Sequence, residues 1–364
     1  MKTYIALLLL LLAFSFCTSS QTERRNEASL INYQGKEIRV GELEHFLKNK
    51  LSSMEIPGLS IAVINNSKVV YHNTFGYANK EKKLPVTEKT IFEAASLSKS
   101  IFAFFVMQFV EEGKLNLDIP LYEYLEYPDI ANDERYKQIT ARMVLSHRSG
   151  FPNWRENEAD GQLRIKFDPG SDYLYSGEGY QYLAMVLRYI ENTDWRGLDS
   201  IFQEKVAKPL GMSHSVFVQT SNTRANKAEP YDDNGNLIDW RNSYWYQKDN
   251  NRFVAPASLN TEPLDFSRWM ITVMNRELLK ESSYAELLKV HSTVQEGQYY
   301  TLGFMTLDEP YNNLYLHGGD NEGFTCGFVI DIEKDWGFVL FTNSEMGQQL
   351  TNELFEYFDD SDNQ

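Results

Sequence analysis

Only two cysteines, Cys17 and Cys326, occur in the 364 residues. A disulfide framework is therefore excluded, and no internal bridge is possible if Cys17 is removed or modified. The chain must rest on its hydrophobic core, which a protein of this length can supply. An excess of positive charge is also missing. With 35 Lys and Arg against 51 Asp and Glu the net charge is −16, whereas a nucleic-acid binder needs a basic face. Beyond the N-terminus no apolar run is long enough to span a bilayer, so the rest of the chain reads as soluble. His45, His72, His214 and His291 show no metal-ligand spacing, and H-E-x-x-H is absent. A G-x-S-x-G elbow is absent as well, which argues against an α/β-hydrolase. No metal or organic cofactor is expected.

What is present begins with "MKTYIALLLLLLAFSFCTSSQ". Lys2 precedes an apolar run from Ile5 to Phe16 that is too short for a span, the pattern of an export signal. Cys17 follows directly, where a bacterial lipoprotein signal places its lipidated cysteine; ordinary cleavage beside Thr18, Ser19 and Ser20 is the alternative. The expectation is an exported protein, periplasmic or membrane-anchored, with residues 1–17 as signal and 18–36 as a polar tether. No other partner but a small-molecule or peptide-like substrate is expected, and the oligomeric state is not legible.

An amphipathic helix is expected over Val40 to Leu51. "GLSIAVIN" and "KVVYHNTFGYA", separated by Asn66 and Ser67, read as a hairpin. Four strand candidates follow one another near the end: "QYYTLGFMTL", "NLYLHGG", "GFTCGFVIDI" and "WGFVLFTNS". A helix covers "EPLDFSRWMITVMNRELL" and a last one spans about Gly347 to Phe358. The pattern predicts an α+β domain over 37–358. Its antiparallel sheet comes from the N- and C-terminal parts, about 37–90 and 255–358, with a helical region inserted over about 91–254. Residues 359–364 read as an acidic tail. Aromatic residues make up 14% of the chain; most belong in the core, but Trp240, Tyr244, Trp245 and Tyr246 are dense enough to form a cleft wall.

Chemistry is concentrated in "EAASLSKSIFAFF", residues 93–105. Ser96 and Lys99 are one helical turn apart and share a face. The helix behind them, to Gly113, is apolar almost all round and hence buried. Burial and the positive end of the helix dipole lower a lysine pKa, and a neutral amine can take a serine proton. The bland alternative is a lysine snorkelling from a core helix. Tyr175, in a polar loop before another helix, is a core phenol or a proton shuttle with a pKa lowered by the lysine. His317 ends a strand before Gly318 and Gly319, which would let substrate lie against the backbone. The N–H of Asp320 would then polarise a carbonyl. A tight turn would use the same glycines.

At these three places the chain resembles the serine β-lactamase and penicillin-binding protein superfamily. The nearest likeness is its class C-like branch, which includes D-alanyl-D-alanine carboxypeptidases and esterases. That family's S-x-x-K, Y-x-N and K-T-G-like elements appear as Ser96-Leu97-Ser98-Lys99, Tyr175-Ser176-Gly177 and His317-Gly318-Gly319. Supporting matches are "EEGKLNLDIPL", "VLSHRSGFPNW" with Trp154, "KPLGM" and "APASLNTEPLDFSRWM", and the resemblance covers about Leu43 to Phe358. It implies a β-lactamase/transpeptidase-like fold. It also implies Ser96 as the acylated nucleophile, with Lys99 and Tyr175 sharing the acid and base work. The N–H groups of Ser96 and Asp320 would form the oxyanion hole; His317, Gly318, Gly319, Gly177 and Trp154 would contact substrate.

Two departures bear on the substrate. Gly177 stands where the family has an Asn that bonds the lysine and the acyl amide; water or Glu178 is a candidate replacement. His317 and Gly318 replace the lysine and hydroxyl that grip a carboxylate, and a histidine near pKa 6.5 is only partly charged. His147 is expected to be structural, in a loop that frames the site. The expected activity is that of an esterase or D-amino-acid peptidase rather than an efficient β-lactamase. A penicillin-recognising sensor, a non-turnover binder or a weak β-lactamase is the alternative.

Overall fold

Three apolar runs decide the centre of the molecule. Gly58–Asn65, Phe324–Asp331 and Trp336–Thr342 are buried at every position, which requires cover on both faces. The structure, a computed structural model, describes residues 28–239 and 252–360. Its strands in chain order are β1 (Ser29–Ile31), β2 (Glu37–Arg39), β3 (Gly58–Asn65), β4 (Lys68–Asn79), β5 (Leu84–Pro85), β6 (Phe92–Glu93) and β7 (Asn260–Thr261). They continue with β8 (Ser292–Gln295), β9 (Gln298–Tyr300), β10 (Met305–Leu307), β11 (Leu314–Asn321), β12 (Phe324–Asp331) and β13 (Trp336–Thr342). Nine of these form one antiparallel sheet in the order β5-β4-β3-β13-β12-β11-β10-β9-β8. β3 lies against β13, so the sheet is sewn from the two ends of the chain, as expected.

The main helices are α1 (Val40–Ser53), α2 (Ser98–Glu111), α3 (Gly177–Ile190), α4 (Pro263–Met274) and α5 (Gly347–Asp359). Strand alternation assigns the two faces. Leu59, Ile61 and Val63 of β3 and Phe338 and Leu340 of β13 meet Leu43 and Leu47 of α1 and Leu350, Leu354 and Phe358 of α5. The opposite side chains, Ala62, Ile64, Val339 and Phe341, join a larger core with α2, α3 and α4. The result is a helix–sheet–helix arrangement. Among the described residues no helix is long and apolar enough to cross a membrane.

The β3–β4 hairpin turns at Asn66 and Ser67, both at positive φ (51° and 53°), which matches the twist of the flanking strands. Some expectations need correction. Residues 29–31, read as tether, form β1 and pair with β2; the Asn65 amide bonds the Ile31 backbone and fixes the hairpin to the sheet. "QYYTLGFMTL" is not one strand. It breaks into β9 and β10 because Thr301–Phe304 turns on itself, with Thr301 N–H bonded to the Phe304 carbonyl. Asp359, read as tail, closes α5 and accepts from Tyr311 Oη at 2.5 Å. Cys17, Trp240, Tyr244, Trp245 and Tyr246 lie outside the described residues.

Candidate active site

Ser96 sits in a 3-10 turn, Ala95–Leu97, that runs straight into α2. Ala95 has φ +43°, a left-handed conformation costing roughly 1–2 kcal/mol for a residue with a Cβ. The start of α2 is pinned from three sides. Ser98 Oγ accepts from Leu259 N–H at 3.1 Å, Ser100 Oγ donates to the Gly303 carbonyl at 2.5 Å, and Lys99 Nζ donates to the Pro256 carbonyl at 3.1 Å. The Pro256 segment is itself clasped by Gln181 of α3, whose amide bonds the backbone of Phe253 and Ala255 at 3.1 Å each.

Lys99 is 1% exposed. Its Nζ is 3.1 Å from Ser96 Oγ and 4.5 Å from the centre of the Tyr175 ring. Among the described residues no carboxylate pairs with it. Burial holds its pKa well below the ordinary lysine value. The helical spacing thus brings the two residues together as read from the sequence.

The Tyr175 ring lies 4.5 Å from Lys99 Nζ. Of its two readings, a core phenol or a shuttle with a lowered pKa, the lowered pKa does not hold: burial raises it, and the nearby Ser96 hydroxyl opposes this only in part. A raised pKa keeps Tyr175 in its protonated, phenol form. Its ring is held by His147, 4.3 Å centre to centre. His147 Nδ1 accepts from Ser176 N–H at 3.0 Å, and its pKa is lowered by burial and by Lys99 and His317. His147 therefore supports Tyr175 directly rather than only framing the site.

β11 supplies the far wall. His317 is buried, with Nε2 2.9 Å from Tyr300 Oη and Nδ1 2.6 Å from the Gly318 carbonyl. Since a carbonyl only accepts, Nδ1 carries the proton and Nε2 accepts from Tyr300. Burial and the nearby Lys99 lower the His317 pKa to about 3. The partial charge expected from its sequence is absent; residue 317 offers substrate no cation. Tyr300, which contacts His317, is not legible in the sequence because an isolated tyrosine in a strand carries no signal.

The glycines beside His317 are closely packed. A Cβ on Gly319 would stand 2.6 Å from Cys326 Sγ and 2.8 Å from the Ala94 carbonyl; one on Gly318 would meet Gln348 Oε1 at 2.5 Å. At Gly319 the obstacle to a side chain is the protein's own backbone and the Cys326 thiol. Gly319 lets β11 approach the turn that carries Ser96, and Asp320 follows it on the same strand, opposite Thr325. Cys326 is a free, buried thiol.

Gly177 opens α3, and Trp154 lies beside it: a Cβ at 177 would be 3.1 Å from the Trp154 ring. Glu178 does not replace the missing Asn. It is 6–7% exposed and grips Arg155, accepting from Nε at 2.9 Å, Nη2 at 2.8 Å and the backbone N–H at 3.0 Å. This ion pair, invisible in the sequence because 23 residues separate its ends, fixes the 152–155 loop on the start of α3.

The structure groups His214, Glu262 and Asp265 within 4.8 Å, which their spacing did not suggest. Their oxygens are committed to capping. Glu262 accepts from the N–H groups of Leu264 and Asp265, and Asp265 from His214 N–H, Ser215 and Arg268.

A family model described as beta-lactamase matches residues 43–357. Protein flp of Staphylococcus aureus (strain N315) is 23% identical over 337 residues, covering 86% of this chain and 65% of that protein. The chain thus spans about two thirds of that relative's length. A beta-lactamase of Pseudomonas fluorescens is 29% identical over 200 residues, 52% of this chain and 53% of its own. Among solved structures, the octameric penicillin-binding protein homologue from Pyrococcus abyssi has TM-score 0.69 and 22% identity, covering 87% of this chain and 78% of that one. D-alanine carboxypeptidase AmpC from Burkholderia cenocepacia has TM-score 0.69 and 16% identity, covering 84% and 93%. At such identities the structural likeness carries the fold.

Proposed function

This chain belongs to the beta-lactamase family of serine hydrolases, and from that premise we propose that it cleaves ester or amide bonds by acyl transfer through Ser96. The observation that carries the proposal is the buried Lys99 amine, 3.1 Å from Ser96 Oγ and without a carboxylate partner among the described residues.

The neutral amine takes the Ser96 proton as Oγ attacks the substrate carbonyl. The carbonyl oxygen gains the negative charge and is held by the N–H groups of Ser96 and Asp320; removal of one such donor typically costs about 3–4 kcal/mol. As the carbonyl re-forms, the leaving group departs with a proton from the Lys99 ammonium, relayed through the Tyr175 phenol. Water then enters and gives its proton to Lys99. It adds to the acyl carbonyl and releases the acid, and the proton returns to Ser96 Oγ.

Substrate preference follows from β11. A neutral His317 hydrogen-bonded on both ring nitrogens provides no grip for a carboxylate, which favours esters and D-amino-acid peptide-like amides without a terminal carboxylate over β-lactams. The export signal and a membrane tether at Cys17 remain a reading of the N-terminal sequence. We test the activity by steady-state turnover of a p-nitrophenyl ester alongside mass measurement after penicillin exposure. Ester turnover that disappears in Ser96→Ala, without a lasting penicillin adduct, supports the proposal. A penicillin adduct that persists without ester turnover would instead favour a non-turnover sensor.

A further inference from the structure

Glu93, three residues before Ser96, joins separate segments of the site's frame through one carboxylate. One oxygen accepts from Asn321 Nδ2 at 2.5 Å, and the other pairs with Lys227 Nζ. The Lys227 side chain is 2% exposed and that of Glu93 24%, so water screens the pair little. The Asn321 amide also donates to the Ala257 carbonyl at 3.3 Å. Ala257 follows Pro256, whose carbonyl takes the Lys99 amine, and Asn321 follows Asp320 on β11.

The grip on Asn321 crosses the seam where β11 meets the Ser96 turn. At that seam a Cβ on Gly319 would lie 2.8 Å from the Ala94 carbonyl and 3.1 Å from Ala95 Cβ. Cys326 Sγ donates to the Ala94 carbonyl at 3.1 Å, a weak bond because a thiol is a poor donor. The bond from Asn321 to Glu93 has an ionised acceptor and is the stronger of the two. Ala95 holds φ +43°, and a strained turn persists only where its surroundings over-determine it.

We propose that Glu93 is a positioning residue for acyl transfer. By gripping Asn321 it sets the spacing between the N–H groups of Ser96 and Asp320, which receive the substrate carbonyl oxygen as it gains charge. The proposal rests on acyl transfer at Ser96. Such donors act only within about 2.7–3.1 Å of the oxyanion, so a small shift of β11 weakens them. The spacing suits oxygen and not the larger sulfur of a thionocarbonyl.

The test compares single-turnover acylation, with enzyme in excess, by p-nitrophenyl acetate and by its thionoester, in which sulfur replaces the carbonyl oxygen. Wild type, Asn321→Ala and Glu93→Gln are measured. Asn321→Ala breaks the grip and keeps the Glu93–Lys227 pair, so the fold is retained; Glu93→Gln turns an amide NH2 toward one of the two donors. The expected result is a wild-type preference for oxygen, with the oxygen-to-sulfur ratio falling about 10- to 100-fold in both variants. A merely structural role would slow both esters together. A wild-type ratio near one, or an Asn321→Ala ratio equal to wild type, overturns the proposal alone. So does a wild type that takes fluorophosphonate at Ser96 but neither ester. If wild type takes neither ester nor fluorophosphonate, acyl transfer fails and the proposal falls with it.

Discussion

Lys99 Nζ lies 3.1 Å from both Ser96 Oγ and the Pro256 carbonyl, so its two polar contacts are with uncharged oxygens, while the Tyr175 ring lies 4.5 Å away. For the proposed base this geometry is favourable, since among the described residues no carboxylate is placed to hold its proton.

Lys99→Met should therefore lower kcat by about 10²- to 10⁴-fold, the range of a lost general base, while leaving folding stability equal or higher, since no charge pair is broken. Lys99→Arg should be inactive and destabilised, because a guanidinium stays charged when buried. Urea unfolding beside ester turnover checks both.

Activity should rise with pH through the lowered Lys99 pKa and level off well below the range where free lysine titrates. Tyr175, raised by burial, should impose no basic limb below about pH 10, the ordinary tyrosine value. A kcat/KM profile that climbs steadily to pH 10 would contradict this account.

His317 is neutral in the fold, with its pKa lowered to about 3, against about 6.5 when unfolded. The unfolded chain binds the extra proton between these values. Stability should be complete above about pH 6.5 and decline as pH falls to about 3, by roughly 1.4 kcal/mol per unit from this group. His317→Gln should flatten that decline in urea-denaturation midpoints measured across pH 3–7.

Tyr300→Phe removes the donor to His317 Nε2 and leaves a buried acceptor unmet, at a cost of about 1–3 kcal/mol. It should also raise the His317 pKa, since a protonated ring no longer displaces a donor. Thermal unfolding and histidine NMR titration read the two effects separately.

Gly319→Ala should separate β11 from the Ser96 turn, because the new Cβ meets the Ala94 carbonyl at 2.8 Å and Cys326 Sγ at 2.6 Å. Expected are a loss of about 1–3 kcal/mol and a lower kcat. Adding Cys326→Ala should restore only part of either, since the backbone contact remains.

Much of this architecture is legible because it is periodic or local. β3, β12 and β13 announce themselves as apolar runs, α2 as an apolar helix, and Ser96 and Lys99 as an i, i+3 pair. What was not legible depends on long-range contacts. Asn153 reaches Gly177 across 24 residues, Arg155 reaches Glu178 across 23, and Tyr300 reaches His317 from another strand. The protonation states of Tyr175 and His317 were misread because ordinary pKa values do not include burial. The packing of Cys326 and Gln348 beside Gly319 and Gly318 is likewise invisible in the sequence.

The central claim is that Ser96 is activated by Lys99, and intact-mass spectrometry with a fluorophosphonate tests it most directly. The account predicts one adduct, mapped by peptide digestion to Ser96, absent in Ser96→Ala and at least tenfold slower to form in Lys99→Met. An adduct elsewhere, or one forming at the same rate without the lysine, would contradict it.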